Sequence, residues 1–122
     1  MSESQTLGQK GEDRAVSYLK EGGYKIRHRN WFSGKKELDI VAENKDYVVF
    51  VEVKTRTEGF LEPPADAVTK EKQKSTIFAA DTYIQRYDIS KESRFDVIIV
   101  IAKGQILEIE QHIEGAFYPT LR

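Results

Sequence analysis

Residues 37–54 constrain this chain more than any other stretch: Glu-Leu-Asp-Ile-Val-Ala-Glu, a polar Asn-Lys-Asp, then Tyr-Val-Val-Phe-Val-Glu-Val-Lys. Residues 47–53 are rich in β-branched and aromatic side chains and read as a strand. The polar residues Glu43 to Asp46 read as a turn, so the stretch is a hairpin. Side chains alternate across a sheet, which puts Glu52 and Lys54 on one face and Val51 and Val53 on the other. Glu37 and Asp39 share a face of the first strand. Pairing Ala42 with Tyr47 places Asp39 opposite Phe50 and Glu37 opposite Glu52. Asp39 and Glu52 then become diagonal neighbours roughly 7–8 Å apart. A slip of one residue would send them to opposite faces. Two carboxylates and a lysine gathered on a strand pair are costly without a partner, and a metal ion is a natural one.

The rest of the composition narrows which ion. The chain has no cysteine, which excludes disulfides and thiolate metal sites and fits a reducing compartment. His28 and His112 are its only imidazoles, a poor basis for a zinc site. Oxygen ligands remain, and with them a hard divalent ion such as Mg²⁺ or Mn²⁺. A length of 122 residues predicts one domain spanning 1–122 with a core of its own. No signal-peptide pattern opens the chain, and the longest apolar run, Val97 to Ala102, is far too short to cross a bilayer. The expectation is a cytoplasmic protein with no membrane partner. The net charge of −1 gives no indication of nucleic acid, but its distribution does. Lys25, Arg27, Arg29, Lys35 and Lys36 fall within one stretch that has no acidic residue. Such a patch binds phosphates or is simply a solvated strand face.

In chain order, residues 1–6 are polar and read as frayed. Leu7 to Glu21 is helical, with a stop at Gly22-Gly23. Gly8 and Gly11 each cost a helix about 1 kcal/mol relative to alanine, which points to close packing. Glu12 sits among Gly8, Ala15, Val16 and Leu19, either at the stripe edge with its tip in solvent or in a functional role. Tyr24 to Phe32 alternates as a strand. It places Tyr24, Ile26, His28 and Phe32 on one face and Lys25, Arg27, Arg29 and Trp31 on the other. Trp31 beside cations suits contact with bases and phosphates, or packing under arginine and lysine stems. A long connection containing Gly59, Pro63 and Pro64 leads to Val68, and connections of that length are often functional. Thr69 caps a helix from Lys70 to about Tyr87, whose stripe is Gln73, Ile77, Ala80, Ile84 and Tyr87. Arg94 to Ala102 is an apolar strand covered on both faces, parallel to the Tyr47–Lys54 strand through a β-α-β crossover. A turn at Lys103-Gly104-Gln105 leads to an edge strand, Ile106 to Ile109. The tail with Ala116 to Pro119 shows no regular pattern.

Taken in order, Gly8-x-x-Gly11-Glu12-x-x-Ala15, Arg29-Asn30, Glu37-Leu-Asp39, Val49-Phe-Val-Glu-Val-Lys-Thr-Arg56 and Ala67-Val-Thr69 with Lys72-Gln73 form a specific set. The set resembles the YraN family of small bacterial proteins, which is in turn similar to the archaeal Holliday junction resolvases. The resemblance covers about residues 7–103. It implies an α/β fold with a restriction-endonuclease-like three-layer core, a mixed sheet flanked by helices in the order αβββαβ, plus a C-terminal edge strand. It also implies a Mg- or Mn-dependent endonuclease that hydrolyses DNA phosphodiester bonds, on branched or damaged DNA.

The resemblance implies Asp39 and Glu52 as metal ligands, with the Val53 carbonyl a further one and Glu12 completing the site. Lys54 orients or activates the attacking water, and Gln73 supports the site. Arg27, Arg29, Trp31, Lys35, Lys36 and Arg56 are the candidate nucleic-acid contacts. One departure is Lys36, where the family carries glycine, which alters the turn or its phosphate contacts. The structural alternative for Glu52 and Lys54 is a buried salt bridge without an ion. The functional alternatives are a catalytically silent nucleic-acid-binding module of this fold, or a protein-interaction module forming a homodimer through an exposed sheet edge.

Overall fold

The computed structural model describes residues 5–59 and 68–119. Two helices, α1 (Leu7–Glu21) and α2 (Lys70–Arg86), flank one sheet of β1 (Lys25–Ser33), β2 (Lys36–Glu43), β3 (Tyr47–Thr57), β4 (Glu92–Lys103) and β5 (Ile106–Phe117). The strands lie side by side in sequence order. All neighbours are antiparallel except β3 and β4, which run parallel on either side of α2, as the apolar run from Phe95 and the helical period before it require. Ala15, Val16 and Leu19 of α1 pack on Ile40, Ala42, Val49, Val51, Ile98 and Val100. Ala79, Ala80 and Tyr83 of α2 pack on Val41, Val48, Phe50, Val97 and Ile99 from the other side. The result is an α/β protein of three layers, as the resemblance implies. Among the described residues no helix is long and apolar enough to cross a membrane.

Helix α1 is fixed by its N-cap and by one close approach to the sheet. Thr6 is its N-cap, not a frayed residue: the Thr6 hydroxyl accepts from the Gln9 amide and the Gln9 side chain accepts from the Thr6 amide. At Gly11 the helix presses on β3, since a Cβ there would lie 1.8 Å from Thr55 Oγ1. That contact fixes the depth at which the neighbouring Glu12 is delivered. Gly8 has no such reason, with only Thr6 Oγ1 near its Cβ position, at 3.9 Å.

Four expectations are corrected. The hairpin register differs by two residues, because Ala42 pairs with Val49 and Glu43 with Val48. The Asn44 side chain accepts from the amides of Asp46 and Tyr47, and its own amide donates to the Tyr47 carbonyl, so the loop is shorter than the turn read from composition. An even shift keeps the side chains of the ladder on their faces, but Leu38 packs on the α2 side and Ile40 on the α1 side, so β2 stops alternating at Asp39. Strand β1 does not alternate as read, for a register shift falls between Ile26 and His28 and Asn30 sits at φ 49°. The buried stripe of α2 is Thr76, Ala79, Ala80 and Tyr83 instead of one opening at Gln73 and closing at Tyr87. Strand β5 runs on to Phe117, which is buried against Phe95, so Ala116 and Phe117 of the patternless tail belong to the sheet. The connection with Pro63 and Pro64, and Ala67 of the motif set, lie outside the described residues.

Candidate functional site

The β2–β3 ladder ends at the pair Ile40–Val51. Asp39 and Glu52 are the next residues on the two strands. Asp39 Oδ2 accepts a hydrogen bond from the Val53 amide at 3.0 Å, so a side chain takes over where the backbone acceptor of β2 leaves off. Both carboxylates are 8 % exposed. Burial raises the pKa of Glu52 to about 7, with the charge of Asp39 adding to it and Lys72, then Lys54, opposing. Asp39 is raised by burial too, against the pull of the Val53 amide and Lys72. Both shifts say that the pair is poorly compensated as it stands.

The nearest cation to Glu52 is not Lys54. Lys72 Nζ lies 3.8 Å from Glu52 Oε1, an ion pair too long for a hydrogen bond. Lys54 is half-buried on the same strand and acts on both carboxylates through its charge. Lys72 is the third residue of α2, where a cation opposes the helix dipole. That misfit, together with the absence of an acidic capping partner, was its signal in the sequence.

Glu12 approaches from α1 and is half-buried. The Asn30 side-chain amide donates to Glu12 Oε1 at 3.1 Å and to Glu37 Oε2 at 2.8 Å, tying helix and strand together. Burial raises the pKa of Glu12, the Asn30 hydrogen bond opposes it, and the charges of Asp39 and Glu37 add to it. Glu37 also pushes Asp39 and Glu52 upward, so four carboxylates sense one another here. The motif set contains Asn30 and Glu37 but gives neither a role. Asparagine in a strand was the available sign, because it tolerates the left-handed region that most residues avoid.

Asp39, Glu52 and the carbonyl of Val53 are hard oxygen donors of the kind that accept a divalent ion. Among the described residues, though, no three histidine, cysteine, aspartate or glutamate side chains stand close enough together to hold a metal by themselves. Gln73 is turned elsewhere: its amide donates to the Val68 carbonyl at 3.2 Å and it lines a cavity against β5.

The basic patch is dispersed. Trp31 is 8 % exposed in the core beneath α2, edge-on to Tyr83 with its indole N–H on the Tyr87 hydroxyl at 3.3 Å. The Arg86 guanidinium lies over its ring, so the tryptophan packs under an arginine stem. The positive φ of Asn30 is the cause, for Arg29 stays on the α1 side with Asp13 while Trp31 turns to the α2 side. Arg27 is engaged by Glu43 at 2.5 Å and by the Tyr83 hydroxyl. Arg56 is 9 % exposed and so is not a surface contact. Lys35 is exposed, and Lys36 closes its turn opposite Ser33 with Nζ 4.9 Å from the centre of the exposed Phe78 ring.

A third buried carboxylate lies on the α1 face. Asp96 is fully buried and receives Nε and Nη2 of Arg94 (2.9 and 2.8 Å), Nε2 of His112 (2.7 Å) and the Gly115 amide (3.1 Å). His112 Nδ1 in turn meets the Tyr18 hydroxyl at 2.9 Å, which links β4 and β5 to α1. Burial alone would raise the Asp96 pKa, but its hydrogen bonds outweigh burial and lower it.

Comparison with known proteins adds a family. The model of the uncharacterised protein family UPF0102 matches residues 11–100. A UPF0102 protein of Bacteroides fragilis is 50 % identical over 121 residues, covering 99 % of each chain. A UPF0102 protein of Phocaeicola vulgatus is 44 % identical over the same length with 99 % of each chain covered. One of Geobacter metallireducens is 45 % identical over 115 residues and 93 % of each chain.

Proposed function

The chain belongs to the uncharacterised protein family UPF0102, the YraN family of its motif set, and from that premise we propose that it is a divalent-metal-dependent endonuclease acting on DNA in the cytoplasm. The observation that carries this reading is the Asp39–Glu52 pair, two buried carboxylates side by side whose charged forms the fold leaves undercompensated. A pair kept for stability alone would be expected to come with a close counter-ion.

The oxygen donors fit Mg²⁺ or Mn²⁺, which Asp39, Glu52 and the Val53 carbonyl would hold, with Glu12 as a further carboxylate. Lewis-acid polarisation of a phosphoryl oxygen is the chemistry such an ion supplies when bound. The chain's own groups do the rest. The Val53 amide fixes the Asp39 carboxylate, so one ligand is oriented before anything binds. Lys72 and Lys54 bring positive charge beside Glu52, where they offset the charge gathering on the reacting phosphodiester. Burial and the charge of Asp39 raise the Glu52 pKa to about 7, so near neutral pH the carboxyl is partly protonated and a bound cation would favour its ionised form. Asn30 donates to both Glu12 and Glu37 and so positions these two carboxylates beside that pair. Exposed Lys35, and Lys36 beside Phe78, offer contacts for the phosphate backbone.

The test is a cleavage panel over linear, flap and four-way DNA with Mg²⁺ or Mn²⁺. Wild-type protein is expected to nick at least one substrate with metal, and Glu52→Ala to lose that activity by at least about a hundredfold. Wild-type protein that nicks nothing with either ion overturns the reading. Salt-dependent DNA binding indifferent to Asp39→Ala and Glu52→Ala would instead select a silent binding module.

A further inference from the structure

The register of the sheet runs from the carboxylates into a cavity to which neither the motifs nor the family assigns a role. Glu52 is paired with Val97 and Val97 with Ile113, while Lys54 is paired with Ile99 and Ile99 with Gln111. Paired residues share a face, so both rows lie on the α2 side. Val97 and Ile113 are therefore one and two strands from Glu52, roughly 5 and 10 Å away. Over them sits a cavity of about 430 Å³ lined by Val68, Val97, Ile113 and Phe117, with the amides of Gln73 and Gln111 at its wall. Its volume is within the range of small-molecule sites.

We propose that this cavity receives an unstacked nucleobase of the strand whose phosphodiester lies at Asp39 and Glu52, an inference that rests on the endonuclease reading above. The occupant must satisfy two constraints together. The aliphatic and aromatic lining asks for a flat or apolar body. The glutamines ask for hydrogen-bonding edges: half-buried Gln73 and exposed Gln111 bring polar side chains to the cavity, which a hydrocarbon would desolvate without replacing their hydrogen bonds to water. A base meets both, with π-faces for the apolar walls and donors and acceptors at its rim for the amides. The nitrogen of Gln73 is engaged with the Val68 carbonyl, which leaves its amide oxygen to accept. Position supports the same class. The cavity is beside the carboxylate pair on the same face, at a separation comparable to that between a phosphate and the base of its own nucleotide. A base can enter only after leaving its stack, so the site selects DNA with unpaired nucleotides next to the scissile bond.

Binding in EDTA tests the pocket apart from hydrolysis. Two fluorescent oligonucleotides differ only in carrying either unpaired adenines or abasic sugars at the same internal positions, and anisotropy gives their affinities. Wild-type protein is expected to favour the adenine strand about tenfold, as base stacking is worth. Gln111→Ala, at an exposed strand position that leaves the core intact, should reduce the preference to a few-fold. Ile113→Trp, which fills the cavity, should abolish it. Equal affinity of the wild-type protein for the two strands, a preference untouched by both variants, or no measurable binding of either strand overturns the proposal. Cleavage in the panel above without base preference here removes the pocket alone. Base preference without cleavage removes hydrolysis alone.

Discussion

Glu52 and Asp96 stand on adjacent strands one register step apart, since Val51 pairs with Asp96 and Glu52 with Val97, and they point to opposite faces of the sheet. Both are buried, yet the fold treats them in opposite ways. Asp96 is surrounded by an arginine fork, a histidine and a backbone amide, and its pKa falls. Glu52 has a lysine at 3.8 Å and a second carboxylate beside it, and its pKa rises. Asp96 shows what this sheet builds when a carboxylate serves structure. Glu52 and Asp39 depart from that pattern where two strands stop pairing, and a departure of this kind is expected where function outranks stability.

The comparison breaks most visibly by deletion. Asp96→Ala removes the acceptor that half-buried Arg94 and His112 share and should cost about 3 kcal/mol in urea denaturation. Asp39→Ala and Glu52→Ala should leave the fold intact. Similar losses at the two places would erase the distinction between them.

Next in size is the pH dependence of Glu52. Below about pH 4.5 the group is protonated whether the chain is folded or not, and it costs nothing. As pH rises from there to about 7 the unfolded chain ionises first, so folded stability falls and stays reduced above 7. Glu52→Gln removes that fall and should stabilise the metal-free protein at pH 8 by on the order of 2–3 kcal/mol, with little effect at pH 4.5. A destabilised variant at pH 8 would mean that Glu52 is as well compensated as Asp96.

The smallest effect belongs to a surface counterpart of Asp96. Lys91 and Arg27 hold the Glu43 pKa down to about 2. Its contribution is therefore present above about pH 4.5 and disappears as pH falls toward 2. With the carboxylate 19 % exposed, screening reduces the benefit, and Glu43→Gln should cost about 1 kcal/mol at pH 7 and nothing near pH 2.

Much of this was legible in residues 37–54 and in the helical periods that flank them. The bounds of α1, the Thr69 cap of α2 and the parallel β3–β4 pair all follow from local pattern. The order of Glu12, Asp39, Glu52 and Lys54 carried the family. What was hidden depended on single backbone angles or distant partners. Strict alternation put Trp31 with Arg29, and one residue at φ 49° undid it. Asp96 reads as part of an apolar strand because His112 lies 16 residues further on, on another strand, and Tyr18 lies 94 residues from His112. Nothing local in the sequence announces such a network. The helical stripe of α2 failed for a related reason: Thr76 and Tyr83 are not read as core residues, yet both face the sheet.

The central claim is that Asp39 and Glu52 form a cation site, and calorimetric titration of the metal-free protein with Mn²⁺ tests it most directly. Wild-type protein should bind one ion per chain, and Glu52→Gln should bind it at least about tenfold more weakly while being no less stable to urea at pH 8. No binding by the wild-type protein, or the same affinity in both, contradicts the account.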